Sequence, residues 1–84
     1  IGIDEELVIP NKGLSVYDDA IAPWRGTGLR KYYIKLIDNA DKFEFPIYKP
    51  YNQLSKEEIK TLWEGNKYFS GINNFFKYLE KKNL

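Results

Sequence analysis

The chain has 84 residues with 13 Lys and Arg against 12 Asp and Glu, a formal net charge of +1, and neither Cys nor His. That size supports one domain around one core, which buries about two-thirds of the unfolded chain's surface. The missing residue types exclude disulfides, thiolate or imidazole metal sites, Cys or His nucleophiles and the usual general base. Two Trp, seven Tyr and five Phe must supply much of the core volume, and their polar edges leave polar rims. The charge is unevenly spread: through Trp24 one base, Lys12, faces five acids, whereas from Arg25 onward twelve bases face seven. An anion-binding surface therefore belongs to the second part. The longest apolar runs fall far short of the ~20 residues that span a bilayer, and no signal peptide is recognisable. The expectation is a soluble, cytoplasmic domain without a membrane partner. An initial Ile and an end directly after a helical pattern suggest an excised piece of a larger protein.

Asp4, Glu5 and Glu6 lead into Leu7-Val8-Ile9, a β-prone run closed by Pro10 and read as an extended segment or short edge strand. Asn11, Lys12 and Gly13 form a turn, and Ser15 followed by Asp18 has the spacing of a capped start for one or two helical turns. Pro23 biases Ala22 out of the helical region and ends them. Trp24 is read as a plug over one end of the core rather than a base-stacking ring.

From Leu29 to Phe43 apolar residues recur at steps of three and four: Leu29, Tyr32, Tyr33, Leu36, Ile37, Ala40 and Phe43. This is the central helix, and Arg30, Lys31, Lys35, Asp38, Asp41 and Lys42 form its polar side, with Ile34 breaking the pattern. Glu44 to Tyr51 holds two prolines and several rings, so it is an ordered crossing loop pinned over the central helix. Leu54, Ser55, Glu58 and Ile59 spell a capping box with a hydrophobic staple. A helix follows, burying Ile59, Leu62 and Trp63 and ending at Gly65 as a left-handed stop. After a short turn at Asn66 and Lys67, Ile72, Phe75, Phe76 and Leu79 mark a third helical face. Lys77, Lys81 and Lys82 near its end are explained by the helix dipole. The fold class is mainly α: a small three-helix domain with an extended N-terminal segment.

No catalytic constellation emerges. The neighbouring carboxylates Asp18 and Asp19, and Glu57 and Glu58, point about 100° apart on a helix and do not converge on one bond. Gly26 and Gly28 lack the other positions of a nucleotide loop. The one coherent cationic set is Arg25, Arg30, Lys31 and Lys35, in a glycine-containing loop and the first turns of the central helix. From residues alone it is either a phosphate-contacting surface or a solvated basic face.

Four patches in order, Leu7-Val8-Ile9-Pro10, Leu14-Ser15, Ala20-Ile21-Ala22-Pro23-Trp24 and Tyr32-Tyr33, resemble the insertion inside the first ATP-binding half of UvrA, the damage-recognition subunit of the bacterial excinuclease. Phe43 through Pro46, Leu54 through Gly65 and Gly71-Ile72-Asn73 are similar to later segments of that insertion, so the resemblance covers nearly the whole chain. It implies a DNA-contacting accessory domain in nucleotide excision repair, excised from an ABC-type ATPase that dimerises, surveys double-stranded DNA and delivers UvrB. It also implies that the ATP and zinc of the parent lie outside these residues, so that the fragment is not itself an enzyme. The expected DNA-binding residues are Arg25, Arg30, Lys31 and Lys35. The other reading the resemblance allows is a protein-interaction or spacer module that docks on UvrB or the UvrA body through Tyr48, Tyr51 or Trp24. Many family members carry a longer stretch between the last two helices, apparently a basic β-hairpin; here only Asn66 to Ser70 remain.

Overall fold

The computed structural model describes residues 3–82. Four α-helices follow in order: α1 (Glu5–Val8), α2 (Arg30–Asn39), α3 (Lys56–Glu64) and α4 (Gly71–Lys82), joined by short 3₁₀ turns. The mainly α class holds, and among the described residues there are only two isolated β-bridges and no sheet.

The N-terminal run is a single helical turn, not an extended strand. Asp4 caps it by accepting from the Glu6 amide at 2.9 Å, and Glu5 and Glu6 occupy the first turn, where acids suit the dipole. A strand would send the consecutive Val8 and Ile9 to opposite faces. The turn buries both, at 2% and 0% exposure, and leaves Leu7 outside.

Ser15 does cap the next segment, its hydroxyl accepting from the Asp18 amide at 3.1 Å. The chain nevertheless makes only a tight turn, because Asp19 adopts φ 69 and the Ala20 amide folds back onto the Ser15 carbonyl at 3.1 Å. Pro23 opens a structure instead of closing one: Ala22–Arg25 is a 3₁₀ turn with Pro23 in its first positions, where a missing N–H costs nothing. A second 3₁₀ turn, Thr27–Leu29, feeds directly into α2, and a third, Ala40–Phe43, extends it to the end of the predicted periodicity.

On α2 and the 3₁₀ turn that extends it, Leu36 and Ala40 are buried, Tyr32, Tyr33 and Ile37 are partly buried, and Lys31, Ile34, Lys35 and Asp38 face outward. Trp24 lies in the core at 1% exposure. Its indole stacks on Tyr32 at 6.1 Å between centroids and meets the edge of Phe75 of α4 at 5.8 Å. Aromatic packing thus joins the Pro23 turn, α2 and α4 in one cluster.

The proline-containing loop is ordered, but it lies along the Lys12–Tyr17 segment more than across α2. Tyr17 donates to the Ile47 carbonyl at 3.0 Å, Tyr51 to Leu14 at 2.9 Å and Asn52 to Lys12 at 2.9 Å, in antiparallel sense. This pairing satisfies backbone groups that two prolines keep out of a helix. Tyr51 is buried at 2% exposure: its hydroxyl donates to the Glu5 carboxylate at 2.7 Å and accepts from the Trp63 indole at 2.9 Å. One phenol therefore ties α1 to α3.

The Ser55–Glu58 capping box is formed, with both reciprocal bonds present at 3.1 and 2.8 Å. At the other end of α3, Gly65 has φ 80 but ψ −178, so it is extended in the glycine-only region and not in the left-handed helical one. The connection from Asn66 is a tight turn in which the Asn66 amide donates to the Phe69 carbonyl at 3.0 Å. Gly71, at φ 82, then starts α4 against Gly65.

Candidate nucleic-acid interface

Arg25, Arg30, Lys31 and Lys35 do not form one equivalent set. Arg25 is exposed at the end of its 3₁₀ turn, and its Nε donates to the Asp19 carbonyl at 2.9 Å. Arg30 forms an ion pair with the Asp19 carboxylate and lays its guanidinium over the Tyr33 ring, 3.8 Å from the centroid. Asp19 thus gathers both arginines, one through its backbone and one through its side chain. Its positive φ, tolerated by Asp more readily than by most residues, turns the carbonyl and carboxylate toward the two partners. The Arg30 side chain keeps 35% of its surface exposed, so its remaining N–H donors reach solvent.

Tyr33 completes this corner. Its hydroxyl donates to the Tyr17 carbonyl at 2.7 Å. Burial raises its pKa, Arg30 opposes the shift and Asp19 reinforces it, leaving the phenol neutral and able to donate at physiological pH. Tyr17 in turn contacts Tyr48 at 4.9 Å between ring centroids, and both rings are exposed, Tyr48 at 71%.

Lys31 and Lys35 stand one turn apart on the outward side of α2, and among the described residues neither is in an ion pair. The exposed Lys31 carries its ammonium over the Tyr32 ring, 5.6 Å from the centroid, within cation–π range. Of the four cations, these two are the least compensated.

Two of the rings expected to dock on a protein partner, Trp24 and Tyr51, are buried, leaving Tyr48 of that set exposed. An open cleft of about 170 Å³ between Phe43, Phe45 and the start of α3 carries Glu44, Glu57 and Glu58, the wrong sign for phosphate. Zinc does not fit this chain, which offers no Cys or His, and among the described residues no acidic cluster could hold a metal. Gly26 and Gly28 belong to a bend and a 3₁₀ turn.

Sequence patterning missed Asp19 as the counter-charge of Arg30, since only the chain reversal at the Pro23 turn brings residues 19 and 30 together. No local signal encodes that contact.

The family model described as the UvrA DNA-binding domain matches residues 4–82. The chain belongs to the UvrA DNA-binding domain family. Among relatives, UvrABC system protein A of Lactiplantibacillus plantarum is 34% identical over 64 residues, covering 76% of this chain and 7% of that protein. The protein of the same name from Listeria monocytogenes is 32% identical over 77 residues, with 87% and 8% covered. That from Rickettsia felis is 35% identical over 63 residues, with 75% and 7% covered. The chain therefore spans 7–8% of the length of these curated relatives. No solved structure matches it. Within the family frame, the basic corner around Asp19 and the outward side of α2 both fall inside the matched residues.

Proposed function

We propose that this domain contacts double-stranded DNA through phosphates as part of the UvrA damage-recognition subunit of nucleotide excision repair. Lys31 and Lys35 make the primary contacts, with Arg25 and Arg30 at the edge. The observation that carries this reading is the pair of uncompensated lysines on the outward side of α2 within a chain of the UvrA DNA-binding domain family. Lysines on a solvated helix side neutralise backbone charge but read no base edges, so contact is independent of sequence. Each phosphate contact contributes a log-affinity against log-salt slope of about −0.9 on B-DNA: about −1.8 for the two lysines and about −3.6 if both arginines join. ATP hydrolysis, zinc binding, UvrA dimerisation and UvrB delivery belong to the parent outside these residues, and the domain itself is not an enzyme.

The test is duplex binding by fluorescence anisotropy across a salt series. Lys31→Glu with Lys35→Glu weakens binding and makes the log–log slope less steep by the part assigned to α2. Unchanged affinity and slope in this variant overturn the reading and favour a module that docks on UvrB or the UvrA body, for which Tyr48 supplies an exposed ring.

A further inference from the structure

The helix dipole accounts for cations near the end of a helix, but it does not account for how α4 arranges them. Ile72, Phe75, Phe76 and Leu79 turn inward, which places Asn74, Lys77, Tyr78 and Lys81 along the opposite side with Lys82 at its edge. Lys77 and Lys81 are one turn apart, about 6 Å along the axis. Tyr78 lies beside them at 47% exposure, with the Lys82 ammonium 5.8 Å from its ring centroid. Among the described residues none of these three lysines is in an ion pair. The Asn74 amide is occupied by the Ser70 carbonyl at 2.7 Å. The acid of α4, Glu80, is exposed three residues on from Lys77 and flanks this stripe, yet among the described residues it is in no ion pair.

The neighbouring helix shows what a merely solvated surface looks like. On α3, Lys56 and Lys60 are interspersed with Glu57, Glu58 and Glu64, so the two signs offset each other. On α2, Arg30 is already matched by Asp19. α4 sets Lys77, Lys81 and Lys82 against Glu80 alone, and, like Lys31 and Lys35 of α2, none of these three lysines is in an ion pair among the described residues. It also lies inside the matched domain, which runs through residue 82.

From this arrangement we infer that the outward side of α4, formed by Lys77, Tyr78, Lys81 and Lys82, is a second DNA-backbone contact surface, separate from α2. It rests on the DNA reading above and adds a second place at which the duplex is held. The lysines neutralise phosphates, and the Tyr78 hydroxyl donates a hydrogen bond to a phosphate oxygen. Because Tyr32 of α2 and Phe75 of α4 meet in the core at 4.8 Å, changes to the outward lysines of either helix leave the packing between them intact.

Duplex binding by anisotropy across a salt series tests this with the 84-residue chain and three sets of variants. Lys77→Gln with Lys81→Gln and Lys82→Gln is expected to make the log–log slope about 2.7 less steep. Removing the same charge elsewhere, through Lys56→Gln, Lys60→Gln and Lys67→Gln, leaves the slope nearly as it was. Tyr78→Phe weakens binding severalfold with the slope unchanged, since it removes a hydrogen bond and no charge. If the α4 and control sets behave alike, the α4 surface is overturned while the α2 reading stands. If the α4 set loses the salt dependence and the α2 variant does not, the α2 reading falls instead. If the unaltered chain binds no duplex at low salt, both fall. Circular dichroism melts of each variant confirm that the helices persist.

Discussion

Replacing Gly71 by Ala should destabilise the domain strongly, and the size of the effect can be worked from the crossing between the end of α3 and the start of α4. Gly71 sits at φ 82, where an L side chain costs about 1–2 kcal/mol. A Cβ there would lie 2.6 Å from the Glu64 carbonyl carbon and 2.8 Å from the Gly65 Cα. Both are backbone atoms, which cannot swing aside as a side-chain tip can, so overpacking adds about 1–3 kcal/mol. The combined loss of about 2–5 kcal/mol falls on a chain whose total stability is about 4–13 kcal/mol by length. A thermal melt should fall by about 10 °C or more, since about 1 kcal/mol moves a domain of this size by about 4–8 °C. The melt can be followed by fluorescence of the buried Trp24. Gly26 provides the control: its φ is −71 and a Cβ there meets nothing within 4 Å. Gly26→Ala should hold or raise stability by about 0.4–1 kcal/mol through the unfolded chain. The Gly65→Ala and Gly71→Ala changes strain one shared contact, so the double variant should lose less than the sum. A Gly71→Ala protein that melts within about 2 °C of the original would refute the crossing as described.

Tyr51→Phe should cost about 1–3 kcal/mol by leaving the Trp63 indole N–H without its acceptor and by releasing Glu5, and with it α1, from the Tyr51 hydroxyl, seen as faster amide exchange at Val8 and Ile9. Burial, reinforced by the Glu5 hydrogen bond, pushes the Tyr51 phenol up to about 12. The unfolded chain therefore ionises first, and stability present below pH 10 is lost as pH rises toward 12; in Tyr51→Phe that part of the denaturation profile should flatten. Ser55→Ala should cost about 1 kcal/mol in urea denaturation. The Ser55 backbone amide, its largest influence, holds the Glu58 carboxyl below its ordinary value, so the box's contribution fades as pH falls through the folded-state pKa. Asp19→Asn keeps a residue tolerant of the left-handed conformation while freeing Arg30, and should tighten duplex binding and steepen its salt slope; weaker binding would mean that the ion pair positions Arg30 for DNA.

The central helix and the Ser55 box were legible because their signals are local: a long run of period 3.6, and two side chains three residues apart. The first turn was not, because Leu7-Val8-Ile9 has strand propensity and the deciding contacts are a single Asp4 cap and burial of adjacent residues. Tyr51 was misjudged as a docking ring for a related reason. Its partner Glu5 lies 46 positions away, and only the folded chain shows that the phenol is occupied. At the candidate interface, the four cations were readable as residue types, but their inequality was not. Asp19 compensates Arg30 across a chain reversal whose angle is set by Pro23 and by the φ of Asp19 itself. The helix dipole explains why α4 ends in lysines, and that none of the three is in an ion pair among the described residues emerges only from the folded chain.

A net charge of +1 therefore says little about how this domain meets an anion. Much of the acidity is spent within the fold: Asp19 on Arg30, Glu58 on Lys49 at 3.5 Å, Glu6 on Lys12 at 3.1 Å and Glu5 on Tyr51. What remains exposed is unevenly spread: carboxylates gather around the cleft beside Phe43, whereas on α2 and α4 the outward lysines outnumber the exposed acids Asp38 and Glu80. At physiological salt a charge is felt over about 8 Å, less than a third of the domain's 36 Å length. A phosphate on either lysine surface is thus governed by its neighbours and not by the molecular total. On the reading proposed above, two modest basic surfaces on one small body would hold a duplex weakly and release it readily as salt rises.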